Sequence, residues 1–146
     1  MNLLLYPLLS TFFVEHLYFI PIIAWIVAVI AKGLVLTTAK KFKLKEMFGS
    51  GGMPSVHSAL VTSLSTAIGI KYGTQNDMFL MSLVFACIII YDALNVRFEA
   101  GRHAKALNLL SKKEIKEFNE SIGHLPKEAF AGSCIGILVA LILLSF

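Results

Sequence analysis

Two histidines in this chain stand where apolar stretches begin, each close behind glycine and close to a proline. The first lies in Gly51-Gly52-Met53-Pro54-Ser55-Val56-His57-Ser58, the second in Gly123-His124-Leu125-Pro126-Lys127-Glu128. Proline is tolerated at the first position of a helix, because the N–H it lacks has no intrahelical partner there. Each run therefore reads as a helix start, with Pro54 and Pro126 at the first helical position and Ser55 and His57 in the first turn of one of them. A helix N-terminus carries unpaired N–H groups and the positive end of the dipole, which together favour an anion. Gly51 and Gly52 allow a bound group to approach the backbone closely. His124 and Glu128 are four apart and can pair if their helix begins slightly early. A carboxylate on one imidazole nitrogen fixes the tautomer and leaves the other nitrogen to attack or bind. Taken singly, each run fits equally well an ordinary capped helix with a histidine at the water interface.

Two ionisable residues interrupt the apolar stretches themselves. Lys32 lies about two turns from the end of the first long stretch, and Asp92 lies near the end of the third. Charge inside a bilayer is costly and invites a functional reading. The plainer alternatives are snorkelling of Lys32 toward headgroups and a salt bridge from Asp92 to Lys32 or Arg97.

The elements that must position these residues follow from composition. The 146 residues are 57% hydrophobic and 15% charged, more apolar surface than a soluble domain of this size could hide. The expected fold is a single all-α, membrane-embedded domain over residues 1–146: a polytopic bundle of about four transmembrane helices plus a short N-terminal surface helix. Measured against roughly 20 apolar residues per crossing, the spans are about Leu17–Ala39, Pro54–Tyr72, Asp77–Phe98 and Pro126–Phe146. The second is the least apolar; Ser58, Thr62, Ser63, Ser65 and Thr66 suit a helix packed among others. Leu3–Val14 is too short to cross and is expected to lie on the surface or pack against the bundle. No cleavable signal peptide is evident. Four spans make a thin bundle, which leaves room for a homodimer.

Basic residues set the orientation. Lys40, Lys41, Lys43 and Lys45 fill one loop, and the stretch from Arg97 to Lys127 holds another seven cations; the opposite side offers Lys71. The positive-inside rule places both basic loops in the cytoplasm and both termini outside, in a cell (inner) or organelle membrane. Within the second loop, Ser111 and Glu114 fit a capping box opening a helix over Ser111–Ser121. The net charge of +4 describes orientation, not a nucleic-acid partner. Cys87 and Cys134 lie in apolar runs without metal-ligand spacing and read as small buried hydrophobes.

This topology collects the chemistry. The first and third spans end on the face where the second and fourth begin, so Lys32, His57, Asp92, Arg97, His124 and Glu128 fall within a few turns of one surface. Two histidines, two cations and two carboxylates at two helix N-termini make a phosphoryl-transfer set.

With those residues in place, the runs G-G-M-P-S-V-H-S, D-A-L-N-V-R-F-E-A-G and G-H-L-P-K-E resemble the divergent branch of the type-2 phosphatidic acid phosphatases, relatives of acid phosphatases and vanadium-dependent haloperoxidases. The resemblance covers about Lys32 to the C-terminus. The parent family builds its site from K-x-x-x-x-x-x-R-P, P-S-G-H and S-R-x-x-x-x-x-H-x-x-x-D. Pro54, Ser55 and His57 match the second motif, with Val56 in place of glycine. His124 and Glu128 match the histidine and acid of the third, with glutamate for aspartate. The resemblance implies that Ser55, Gly52 and neighbouring N–H groups hold phosphate, that His57 protonates the leaving alkoxide, and that His124 is the nucleophile oriented by Glu128. The parent's cationic motifs are missing; Lys32 and Arg97 are the best substitutes as phosphate clamps, with Asp92 in support.

The expected function is an integral membrane phosphatase that hydrolyses a lipid phosphomonoester or pyrophosphate through a phosphohistidine. No metal is required, since cations and helix dipoles supply the charge, although two carboxylates leave a Mg²⁺-assisted variant open. The competing class is an inactive lipid-phosphate-binding or scaffold protein. A transporter fits less well, because four spans without repeats offer no alternating pathway.

Overall fold

A computed structural model describes residues 5–40, 47, 49, 51–111 and 117–144, with the side chains of 5–9 outside that description. Among these residues the regular structure is entirely helical: α1 (Leu5–Glu15), α2 (Phe19–Thr38), α3 (Val56–Tyr72), α4 (Asp77–Leu94), α5 (Val96–Leu110) and α6 (Pro126–Leu144). Among the described residues, three stretches are long and apolar enough to cross a membrane: α2, the run Asp77–Leu110 formed by α4 and α5, and α6. Three, rather than the expected four, therefore qualify. The exception is α3, whose 17 residues span about 26 Å, somewhat short of a ~30 Å hydrocarbon core.

What α3 lacks in apolar length it makes up in position, because it packs against α6, α4 and α2. Its hydroxyls are satisfied inside the bundle. Thr62 donates to Ser58 O at 2.7 Å and to Ser133 O at 3.2 Å, Ser63 to Leu60 O at 2.9 Å, and Ser65 and Ser82 share a bond of 3.1 Å. Such bonds let a polar helix sit in an apolar medium without orphaned groups. By contrast α4 turns most of its surface outward; Leu80, Met81, Val84, Phe85 and Ile88 are all exposed, as lipid contact requires.

The tightest seam lies between α3 and α6. A Cβ at Gly132 would sit 2.1 Å from Ser55 O, and one at Gly136 would sit 2.2 Å from Ala59 O. Only glycine at both positions lets the two backbones meet, the small-residue spacing typical of close membrane helices. At the far end of α6, Phe13 of α1 joins Ile20, Ala67, Ala140 and Leu144 in an apolar cluster. Of the two placements expected for the N-terminal segment, packing against the bundle is the one observed.

The basic connection after α4 differs from expectation. Its helix is α5, not Ser111–Ser121. Ser111 closes the C-terminus of α5 by donating from its N–H to Leu107 O at 2.9 Å; residues 112–116, with the glutamate of the expected capping box, lie outside the described residues, and 117–122 are not helical. Asn108 explains the open chain. Its amide donates to Phe118 O and accepts from Phe118 N–H, at 2.9 and 2.8 Å, and also donates to Glu120 Oε1 at 2.9 Å. A side chain thus satisfies backbone groups that a helix would otherwise have paired. The chain turns from α4 into α5 at Asn95, which has φ −115° and ψ −72°.

Candidate active site

Helices α2 and α4 run toward one end of the bundle, and α3 and α6 start there. Two backbone bonds weld this end together. Ser55 N–H donates to Glu128 O at 2.9 Å, and His124 N–H donates to Ala93 O at 3.0 Å. The first ties the start of α3 to the start of α6. The second satisfies one of the carbonyls that the last turn of α4 leaves without a helical partner. The two positive helix ends therefore lie side by side, with His124 bound to the end of a third helix.

At the start of α3 the expectation needs correction. Pro54 does not hold the first helical position. Ser55 is the N-cap, with extended backbone, and α3 begins at Val56. The completely buried Ser55 accepts from Ser58 N–H at 3.3 Å and from the Ser58 hydroxyl at 3.0 Å. Its hydroxyl is thereby half of a buried serine pair, of which Ser58 carried no sequence signal beyond its polarity. Ahead of it, Gly52 has φ +91°, a conformation that strains any residue with a Cβ. His57 follows in the first turn.

Pro126 does open α6 as expected. The pairing of His124 with Glu128 does not arise from an early helix start, however; the carboxylate folds back. Glu128 Oε2 accepts from Leu125 N–H at 3.1 Å and lies 3.1 Å from His124 Nδ1. The bond to Leu125 is one half of a capping box, a third-position acid reaching back to the cap N–H. Because a carboxylate only accepts, Nδ1 carries the proton and Nε2 holds the lone pair. His124 is 2% exposed, and its Nε2 is buried with no hydrogen-bond partner among the described residues. Burial pushes the His124 imidazole below the ordinary histidine value; Glu128 pulls upward without cancelling the effect. The neutral ring is therefore the resting form at neutral pH.

The remaining predicted residues gather around this ring. The His57 and His124 ring centroids are 6.3 Å apart, and His57 lies in the fields of Arg97, Lys32 and Asp92. Lys32 is 1% exposed and donates to Gly49 O at 2.5 Å, so it does not snorkel. Its Cε would lie 3.4 Å from a Cβ placed on Gly52. Arg97 lies beyond the turn at Asn95, in the first turn of α5, and donates from Nε to Asp92 Oδ2 at 2.6 Å. Of the partners expected for Asp92, Arg97 is the one found. All eight residues named from the sequence, Gly52 and Ser55 included, are thus at one end of the bundle. No three His, Cys, Asp or Glu side chains converge in a metal-holding group among the described residues.

Two features escaped the sequence reading: the Gly49 carbonyl that receives Lys32, and the approach of Gly132 to Ser55. The four-residue interval between Gly132 and Gly136 was the available signal for the second.

An all-helical membrane bundle with a buried, carboxylate-held histidine facing a second histidine is the class that fold and site define. The chain belongs to the Divergent PAP2 family, whose profile matches residues 13–139. It is also similar to the Uncharacterized membrane protein YuiD of Bacillus subtilis (strain 168), at 35% identity over 126 residues, covering 74% of this chain and 80% of that one. No solved structure matches it.

Proposed function

We propose that the protein is a membrane phosphatase that hydrolyses a lipid phosphomonoester or pyrophosphate through a phosphohistidine on His124. The observation that carries this reading is His124 itself: buried, neutral, fixed through Nδ1–H by Glu128, its Nε2 without a hydrogen-bond partner among the described residues and its ring centroid 6.3 Å from that of His57. An orphaned buried nitrogen costs free energy, and its retention suits a group whose partner is the substrate.

In the proposed reaction the Nε2 lone pair attacks phosphorus. The bond from phosphorus to the leaving oxygen breaks as His57, protonated when the phosphate anion binds beside it, gives that oxygen its proton. Glu128 stabilises the positive charge that develops on the His124 ring. Water then attacks the phosphohistidine; His57 takes its proton, the P–N bond breaks, and inorganic phosphate leaves. The paired N-termini of α3 and α6, the Gly52–Ser55 turn and Lys32 stabilise the equatorial oxygens. Arg97, anchored through Nε by Asp92, keeps its terminal nitrogens for phosphate. The basic connections favour the cytoplasmic face for this end of the bundle. A cysteine introduced at Lys43, in a chain lacking Cys87 and Cys134, is expected to resist impermeant thiol reagents in intact cells; outside labelling reverses the orientation.

The experiment is phosphate release from phosphatidate, phosphatidylglycerophosphate and polyprenyl pyrophosphate by detergent-purified protein, beside His124→Ala and His57→Ala. Release by the wild type that His124→Ala abolishes supports the reading. Folded wild-type protein that releases nothing from any of the three points instead to a lipid-phosphate-binding or scaffold role.

A further inference from the structure

A cavity of about 350 Å³ opens beside the histidine pair, between α2, α3 and α4. Its walls are Trp25, Val29, Leu60, Val61, Phe85 and Ile89, with His57 and Gly49 at its polar end. Trp25 precedes Lys32 by seven residues, and Phe85 precedes Asp92 by seven. At 1.5 Å per residue, the cavity reaches about 10 Å from the site into the apolar part of the bundle. At that polar end the Gly49 carbonyl is already engaged, since it accepts from Lys32. Among the described residues no Lys, Arg, Asp or Glu lines it, so water gains little by filling its apolar depth.

We propose that this cavity holds one hydrocarbon chain of the phosphate-bearing ligand, entering from the bilayer between α2 and α4 with its phosphate toward His57 and His124. The proposal rests on the phosphate-handling role given above to that pair. Three observations favour a chain over any other occupant. The cavity is continuous with the site through His57. Two of the three helices that wall it, α2 and α4, belong to stretches long and apolar enough to cross a membrane. Its volume equals roughly a dozen waters at ~30 Å³ each, room for a stretch of one chain and not for two. The apolar walls would hold the chain by burial, at about 0.8 kcal/mol per methylene, and would set the depth at which the phosphate stops. A second cavity, lined by Gly101, Arg102, Lys105, Glu120 and Glu128, is polar and lies across the site, so it does not compete for the chain.

Trp25 is the only tryptophan in the chain and lines the cavity, which gives a readout that needs no turnover. Protein is reconstituted in phosphatidylcholine vesicles containing either a single-chain alkyl phosphate brominated along its chain or a phosphatidylcholine brominated at the same depth. The expected result is saturable quenching of Trp25 by the alkyl phosphate, half-maximal at a mole fraction about tenfold below that of the brominated phosphatidylcholine. The double substitution Leu60→Phe and Ile89→Phe, which fills the cavity, is expected to remove the saturable component. Equal, non-saturating quenching by both lipids overturns the proposal. Phosphate release without saturable quenching overturns the chain site while sparing the phosphatase reading; saturable quenching without phosphate release does the reverse.

Discussion

The starts of α3 and α6 solve one problem in two ways. Both end a glycine-containing turn, both offer a positive helix end, and both place a histidine within a turn of the other. At α6 an acid caps the helix and, with the same oxygen, holds His124. At α3 a serine caps the helix and leaves His57 unheld by it, at the polar end of an apolar cavity. A group that must present a lone pair along one line benefits from clamping. A group that carries a proton to a departing oxygen benefits from room to turn. The difference in capping is therefore the physical basis for giving the two histidines different roles.

The most severe way to break this comparison is His124→Ala. Loss of a nucleophile is expected to lower kcat on the order of 10⁴-fold or more and to abolish any acid-labile, base-stable phosphoenzyme in radiolabelled substrate. His57→Ala is expected to cost about 10²–10⁴-fold, and the loss should shrink with an aryl phosphate, whose leaving group needs no proton. If both variants responded alike to leaving-group pKa, the division of roles would fail. Glu128→Gln tests the clamp. It removes the carboxylate that raises the His124 pKa, so the acid limb of kcat/KM against pH should move further down. In the wild type that limb is expected below the ordinary histidine value of 6.5, because the proposed reaction needs the neutral ring and burial disfavours the charged one. Linkage gives the same sign for stability: below pH 6.5 the unfolded chain binds the proton more readily than the folded one, so stability falls as the medium is acidified. A limb that stays put in Glu128→Gln removes the carboxylate from the role. Smallest is the effect of Ser55→Ala, about 1 kcal/mol of a lost cap, read as a lower unfolding temperature in detergent.

Sequence reasoning reached the site because its signals were local. Proline, glycine and histidine in short runs mark α3 and α6, and the apolar periods mark α2 and α4, so their alternation alone brings eight residues to one end. The failures were non-local. Ser55 caps α3 and Pro54 stays outside it because the Ser55 N–H is bound by the Glu128 carbonyl, 73 positions away in sequence. Asn108 holds 118–120 open through contacts that no capping rule anticipates. The start of α5 at Val96 was hidden because Asn95 interrupts an otherwise continuous run, and a single turn residue rarely ends a helix on its own account.

The glycine seam has a mechanical side. With Gly132 and Gly136 pressed on the backbone of α3, any axial slip would drive α-carbons and carbonyls into one another. The two helices must move as one strut. Bilayers of different thickness would then tilt the strut or bend the sparsely packed α4, while the spacing of the two imidazoles stays constant. A wide range of host membranes would leave the reacting distance unchanged, and variation in lipid would be felt where the chain is admitted.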